Sequence, residues 1–148
     1  MMHRIKFPLY ALTLTLLGPS ACGDDIKTIG DIESQEGSAA QCSIVLPEDT
    51  VAVSAEVSGD DFYYHVCSGG ELTYTGDVSD IVVDDGGLAT VNGDSINIFI
   101  RAGASVTFTG NTGNVYYEDG AEAIFEGGIG NIYHCESLNV DASAAPPC

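Results

Sequence analysis

Basic residues are scarce in this sequence of 148 residues, which has four lysines and arginines against 22 aspartates and glutamates. All 22 acidic residues follow position 21, where only two basic residues remain, Lys27 and Arg101, so this part carries a charge of about −20. Binding to nucleic acid requires Lys and Arg to neutralise phosphates, and so does attachment to anionic lipid headgroups. The composition excludes both functions and leaves cationic partners and divalent ions.

A hydrophobic run long enough to span a bilayer is also missing. The apolar run at residues 7–17 is shorter than the about 20 residues that a membrane helix needs. It follows a basic head of His3, Arg4 and Lys6 and precedes the small residues Ser20 and Ala21, the order found in secretory signals. The sequence therefore predicts a signal peptide over residues 1–21 and export of the remainder.

The residues after the signal suggest a lipid anchor. Pro19-Ser20-Ala21-Cys22 resembles the lipobox of bacterial lipoproteins, although a leucine is usual where Pro19 stands. The resemblance implies that Cys22 becomes the new N-terminus and carries acyl chains such as palmitate. These would hold the protein to a membrane of the cell envelope, on the outer-membrane or periplasmic side. The alternative is an ordinary secreted protein, cut near Ala21.

Residues 22–41 are polar, acidic and weakly patterned. Such a stretch buries too little apolar surface to offset the entropy lost on ordering. We expect lipidated Cys22 and a flexible acidic tether over residues 22–41, followed by a folded domain over residues 42–148.

An internal repeat organises this folded domain. A glycine followed by a turn residue recurs every 17 residues, at Gly59-Asp60, Gly76-Asp77, Gly93-Asp94, Gly110-Asn111 and Gly127-Gly128. Each repeat has two short segments of alternating apolar residues, separated in four coils by a glycine suited to positive φ: Gly69, Gly86, Gly103 and Gly120. The pattern predicts an all-β fold, a single-domain parallel β-solenoid of about five 17-residue coils. An antiparallel β-sandwich is the alternative.

Two columns of residues 17 apart support this register. Arg101 falls between Asp84 and Glu118 of the neighbouring coils, which predicts ion pairs along the stack. A second column is expected to form an amide ladder, since it holds Asp80, Asn97, Asn114 and Asn131.

The five cysteines are an odd number, and assigning Cys22 to lipid leaves four for disulfides in an oxidising compartment. Cys67 and Cys135 share a coil position but lie four coils apart, about 19 Å at about 4.8 Å per coil. A disulfide needs Cα atoms within about 7 Å. We therefore expect local pairs that staple the two ends of the solenoid: Cys42 with Cys67, and Cys135 with Cys148.

Candidate sites for chemistry are few. The sequence has none of the common motifs for nucleophilic serine, zinc-dependent or phosphate-binding sites, so we predict no catalytic residue and no cofactor. Asp77, Asp94 and Asp80 are weak candidates for calcium ligands, with hydrogen bonding inside turns as the alternative. On the outward face, Phe99, Tyr116 and Tyr133 form a stripe of rings that is a candidate surface for a sugar or a protein. Such rings also stabilise strands, or the tether could fold over them.

These observations favour a non-catalytic lipoprotein of the cell envelope with a binding or structural role, its partner a glycan or another protein. One alternative is a small carbohydrate-active enzyme that uses the paired acids Asp84-Asp85 and Glu118-Asp119. Another is a calcium-dependent surface protein.

Overall fold

The computed structural model describes residues 26–46 and 51–141, and Cys22 and Cys148 lie outside these ranges. The described residues form thirteen strands and one 3₁₀ turn at Ile29–Asp31. The strands are β1 Lys27–Thr28, β2 Gln35–Glu36, β3 Ser43–Val45, β4 Val51–Ser58, β5 Asp61–Thr75, β6 Val78–Val83, β7 Leu88–Asn92, β8 Ser95–Ile100, β9 Ser105–Phe108, β10 Thr112–Tyr117, β11 Glu122–Phe125, β12 Ile129–His134 and β13 Asn139–Asp141. Nowhere in these ranges is there a helix that could cross a bilayer.

The coils stack in parallel with the 17-residue register. Ile98 pairs with Ile81 of the coil before it and with Val115 of the coil after it. The first half of β5 with β6, β8, β10 and β12 makes a front sheet, and the second half of β5 with β7, β9 and β11 makes a back sheet. Neighbouring coils run in the same direction, so the β-solenoid is confirmed and the antiparallel sandwich is wrong.

Glycines shape the two bends of each coil. Gly69, Gly86, Gly103 and Gly120 have φ between 74° and 89°, as their position predicts. At the other bend the backbones of successive coils touch. A Cβ on Gly76 would collide with the carbonyl oxygen of Gly59, and one on Gly93 would collide with that of Gly76. Glycine therefore permits the close stacking in this column.

The main core lies between the two sheets and consists of the alternating residues identified in the sequence. Its largest fully buried side chains include Leu72, Tyr74, Ile98, Phe108 and Phe125. Each contributes on the order of 2 kcal/mol by leaving water.

The N-terminal segment caps the far end of the stack. Strand β1 pairs antiparallel with β11, and β2 pairs parallel with β12. Ile29 and Ile32 between them pack against the main core. The prediction of a flexible tether is therefore wrong for residues 26–41, because these two apolar side chains cover an open coil that would otherwise expose its core. Cys22 and the rest of the expected tether lie outside the described residues.

The last coil also differs from the repeat. Val140 of β13 stands 17 residues after the buried Ala123, so the repeat predicts that it lies inside the coil, yet β13 leaves the stack and pairs with β3, with Val140 opposite Ile44. The place beside β11 is taken by β1. Strands β3 and β13 together form a small two-stranded sheet, the cover, which lies over the front sheet.

The disulfide pattern corrects both predicted pairs. Cys42 bonds to Cys135, with the Cα atoms 5.9 Å apart. Cys67 is disulfide-bonded as well. Because Cys42 and Cys135 bond to each other, the pairs Cys42 with Cys67 and Cys135 with Cys148 are wrong. The prediction of local pairs assumed that Cys42 lies at the first coil, whereas the N-terminal segment carries it to the last.

Candidate functional site

The predicted aromatic stripe lies beneath the cover. Phe99 and Tyr116 stack with ring centroids 4.7 Å apart, and Tyr116 and Tyr133 stack at 5.1 Å. Only 4% of Phe99 and 8% of Tyr116 are exposed, and Tyr133 is half-buried. The prediction that this stripe is an open contact surface is therefore wrong. Leu46 and Leu138 bury it in a second hydrophobic cluster, because an apolar stripe of this length gains free energy when it is covered.

Beside the cover is an open cleft of about 470 Å³. One wall is formed by β3 and the turn before it, from residue 40 to residue 45. The front sheet lines the rest of the cleft with Tyr63, Asp80, Asn97, Phe99 and Tyr116. Aromatic rings and a few convergent polar groups in a cavity of this size are typical of a small-ligand site. The cleft is the candidate functional site.

The solenoid register positions the polar groups of the cleft. Tyr63, Asp80 and Asn97 occupy one column on three successive coils, which continues into Asn114 and Asn131. The Asn97 side-chain amide donates to Asp80 Oδ1 at 2.5 Å, Asn114 donates to Asn97 at 2.8 Å, and Asn131 donates to Asn114 at 3.0 Å. The predicted amide ladder is confirmed, and it holds the Asp80 carboxylate at its head.

Asp80 is a buried acid, with 8% of its surface exposed. Burial raises its pKa, and the hydrogen bond from Asn97 opposes this rise. No cationic side chain of the described ranges forms an ion pair with Asp80: Arg101 pairs with Asp84, and Lys27 is exposed in β1 beside β11. Burial also raises the pKa of the Tyr116 hydroxyl, and the charges of Tyr133 and Asp80 raise it further. The cleft therefore contains a carboxyl group that has no ion-pair partner among the described residues.

The Arg101 column forms a separate cluster. Arg101 Nε lies 3.3 Å from Asp84 Oδ1, and His65 Nε2 lies 2.8 Å from Asp84 Oδ2. Burial raises the pKa of Asp84, but the hydrogen bond and charge of His65 and the charge of Arg101 outweigh it and lower this pKa. Glu118 instead accepts the backbone N–H groups of Ala102 and Leu138. The predicted ion pair of Arg101 with Asp84 is confirmed. Glu118 instead hydrogen-bonds to the loop before β13.

Of the three calcium candidates, Asp77 and Asp94 are neighbours in one column of bends, and Asp80 lies in a different column. Asp77 Oδ1 accepts the backbone N–H of Asp94 at 3.0 Å, and Asp94 Oδ1 accepts that of Asn111 at 2.7 Å. These two carboxylates bridge successive coils, while Asp80 lies in the cleft. Within residues 26–46 and 51–141, no group of three or more His, Cys, Asp and Glu side chains is arranged to hold a metal ion. The Asp77 and Asp94 carboxylates thus bond to the bend of the next coil rather than inside their own turns.

Two parts of the cleft, Tyr63 and the wall at residues 40–45, were not identified from the sequence. Tyr63 stands 17 residues before Asp80, so the repeat contains the signal that places it beside the amide ladder. The wall at residues 40–45 comes from outside the repeat and has no such signal. Comparisons of the chain with protein-family profiles, curated proteins and solved structures found no match.

Proposed function

We propose that this protein is a lipoprotein of the bacterial cell envelope whose solenoid binds a glycan in the cleft without chemically changing it. The observation that carries the proposal is that the half-buried ring of Tyr63 lies beside the polar groups of Asp80 and Asn97 in one open cleft. Aromatic rings pack against the C–H faces of sugars, and carboxylates and amides accept or donate hydrogen bonds to hydroxyl groups.

The geometry of the cleft favours binding over hydrolysis. Glycosidases use two carboxyl groups, separated by about 5–9.5 Å. Asp80 is the one acid among the described residues that line this cleft. The paired acids considered in the sequence have other partners, since Asp84 pairs with His65 and Arg101, and Asp119 pairs with His134. A single carboxylate in the cleft can bind a glycan but cannot supply both carboxyl groups that hydrolysis requires.

The lipid on Cys22 would hold the capped end of the solenoid near the membrane. Only residues 23–26 separate Cys22 from β1, and five residue steps extend to about 17 Å at most. Because β1 lies beside β11, this anchor would bring the last coils close to the bilayer and direct the first coil away from it.

Mass spectrometry of the full chain, expressed in a bacterium and extracted from membranes, tests the anchor. We expect a mass that includes acyl chains on Cys22 and their loss in Cys22→Ser. The unmodified Cys22 thiol in the membrane-extracted protein would contradict lipidation.

A glycan array probed with the detergent-solubilised full chain tests binding. We expect at least one glycan to bind, Tyr63→Ala to weaken that binding, and the control Ile124→Ala, an exposed residue of the back sheet, to leave it unchanged. The bound glycan should be recovered intact after incubation. Cleavage of the glycan, or no glycan bound, would overturn the proposal.

A further inference from the structure

Among the described acids, Asp80 is the one that is buried, and no cationic side chain of the described ranges pairs with it. The residue is 8% exposed, and its carboxylate accepts one hydrogen bond within the described residues, from Asn97. Buried charges in proteins are normally paired. Of the two basic residues beyond position 21, Arg101 is held by Asp84 and Lys27 lies in the cap. A cationic ligand in the cleft would therefore meet a carboxylate that has no ion-pair partner among the described residues.

The surroundings of Asp80 suit an organic cation. The half-buried ring of Tyr63 borders the same cleft, and aromatic faces attract ammonium groups. The charge of about −20 beyond position 21 raises the local concentration of cations around the whole protein. A bare metal ion fits less well, since the described lining contains a single acid.

The polar groups of the opposite wall indicate which kind of molecule bears the cationic group. Gln41 and Ser43 line the wall formed by the cover. Gln41 uses its side-chain oxygen to accept the Ser38 N–H, and the Ser43 hydroxyl donates to the Ala39 carbonyl. The Gln41 amide N–H groups and the Ser43 oxygen can therefore still bind ligand hydroxyls. A lysine side chain, an ammonium on an apolar stem, would leave these groups without a partner.

We infer that the cleft recognises an amino sugar with a free, protonated amine, which pairs with the Asp80 carboxylate while the sugar hydroxyls meet Asn97, Gln41 and Ser43. This inference rests on the proposed function and specifies its ligand class. A hexosamine unit within a glycan meets both requirements, since one ring carries the ammonium and several hydroxyls. Neutral sugars and N-acetylated amino sugars lack the charge.

Calorimetry with two matched tetrasaccharides tests this inference. The probes are a β-1,4-linked glucosamine tetramer and its fully N-acetylated form, titrated into the solubilised full chain at about 0.15 M salt, where the Debye length is about 8 Å. We expect the free-amine tetramer to bind about tenfold or more tightly, the ratio that one good charge-assisted hydrogen bond supplies.

Two variants distinguish Asp80 from the general charge of the protein. Asp80→Asn should remove the preference, and it is expected to fold because asparagine occupies the same column in the next three coils. Asp77→Asn removes the same charge from an exposed bend and should retain the preference. Loss of the preference in both variants, or in neither, would overturn the role of Asp80.

The remaining outcomes separate this inference from the proposed function. If both tetramers bind equally, the amine is not recognised, although glycan binding stands. If pentalysine competes as strongly as the glucosamine tetramer, the sugar assignment is wrong. If neither tetramer binds while other glycans on the array do, the ligand class is wrong. If no glycan binds at all, the proposed function itself fails.

Discussion

Cys42 and Cys135 are 93 positions apart in the chain, yet a disulfide joins them with their Cα atoms at 5.9 Å. The backbone around this bond is also closely connected, since Gly37 donates to His134 at 2.7 Å and Asn139 donates to Cys42 at 2.7 Å. The bond therefore fastens the N-terminal segment to the last coil. It stands at the base of the cover, whose β3 forms one wall of the cleft.

Removing this disulfide should loosen the cover before the solenoid. Cys42→Ser combined with Cys135→Ser is expected to lower the free energy of unfolding by about 2–5 kcal/mol, because the unfolded chain regains the freedom of a long loop. Hydrogen exchange should quicken first in β3 and β13 and later in β8 and β10, which lie inside the stack. Equal loss of protection in all four strands would contradict the assignment of β3 and β13 as a separate layer.

The partner of Cys67 links the disulfide pattern to the lipid anchor. Cys67 is disulfide-bonded, and with Cys42 bonded to Cys135 the remaining cysteines of the sequence are Cys22 and Cys148. A lipidated Cys22 has no sulfur available for a disulfide, so peptide mapping without reduction should find Cys67 joined to Cys148. A peptide that joins Cys67 to Cys22 would exclude lipidation.

Within the amide ladder, the middle residue should contribute most to the free energy of unfolding. Asn114→Ala removes a donor to Asn97 and an acceptor for Asn131, and we expect it to cost about 1–3 kcal/mol by leaving part-buried polar groups unsatisfied. The control Asn131→Ala, at the exposed end, breaks one bond and should cost about 1 kcal/mol or less. Chemical denaturation measures both values. Equal costs would argue against a continuous ladder.

Asp80 should make the protein less stable at neutral pH than asparagine does. Burial raises the folded-state pKa of Asp80 above 3.8, so folding favours the protonated carboxyl. The penalty is present above the folded-state pKa and disappears as pH falls below 3.8. Asp80→Asn should therefore unfold at a higher denaturant concentration at pH 7, and this difference should shrink toward pH 3.5. A less stable variant at pH 7 would show that Asp80 has a stabilising cation.

His134 should bind its proton more tightly in the folded state. Its pKa is raised above 6.5 mainly by the hydrogen bond with Glu36 of the cap, and burial opposes this, while Asp119 adds to the rise. The resulting stability is fully present below pH 6.5 and is lost as pH rises through the folded-state pKa. NMR titration should show this raised pKa, and Glu36→Gln should lower it. The control Glu33→Gln should not, and an unchanged His134 pKa in Glu36→Gln would contradict the docked cap.

The repeat explains what could be predicted from the sequence. Residues 17 apart are spatial neighbours, so the inward columns, the bend glycines and the ladder of Asp80 with Asn97 follow from periodicity. Ile29, Ile32 and Cys42 lie before the repeat, and no local pattern indicates which end of the stack they reach. Their positions depend on which core surface is left open once the coils have formed. The cleft needs both parts, and for this reason only its front-sheet side, the Asp80 column with Phe99 and Tyr116, could be predicted.

NMR of the isotope-labelled, solubilised full chain can locate the bound glycan on the protein. The probe is the glycan that binds most tightly on the array. We predict that its addition shifts the amide signals of Tyr63, Asp80, Asn97 and residues 40–45, while those of Thr90 and Thr107 on the outer face of the back sheet stay in place. Shifts confined to the back sheet, with unchanged signals along the cleft, would contradict the account.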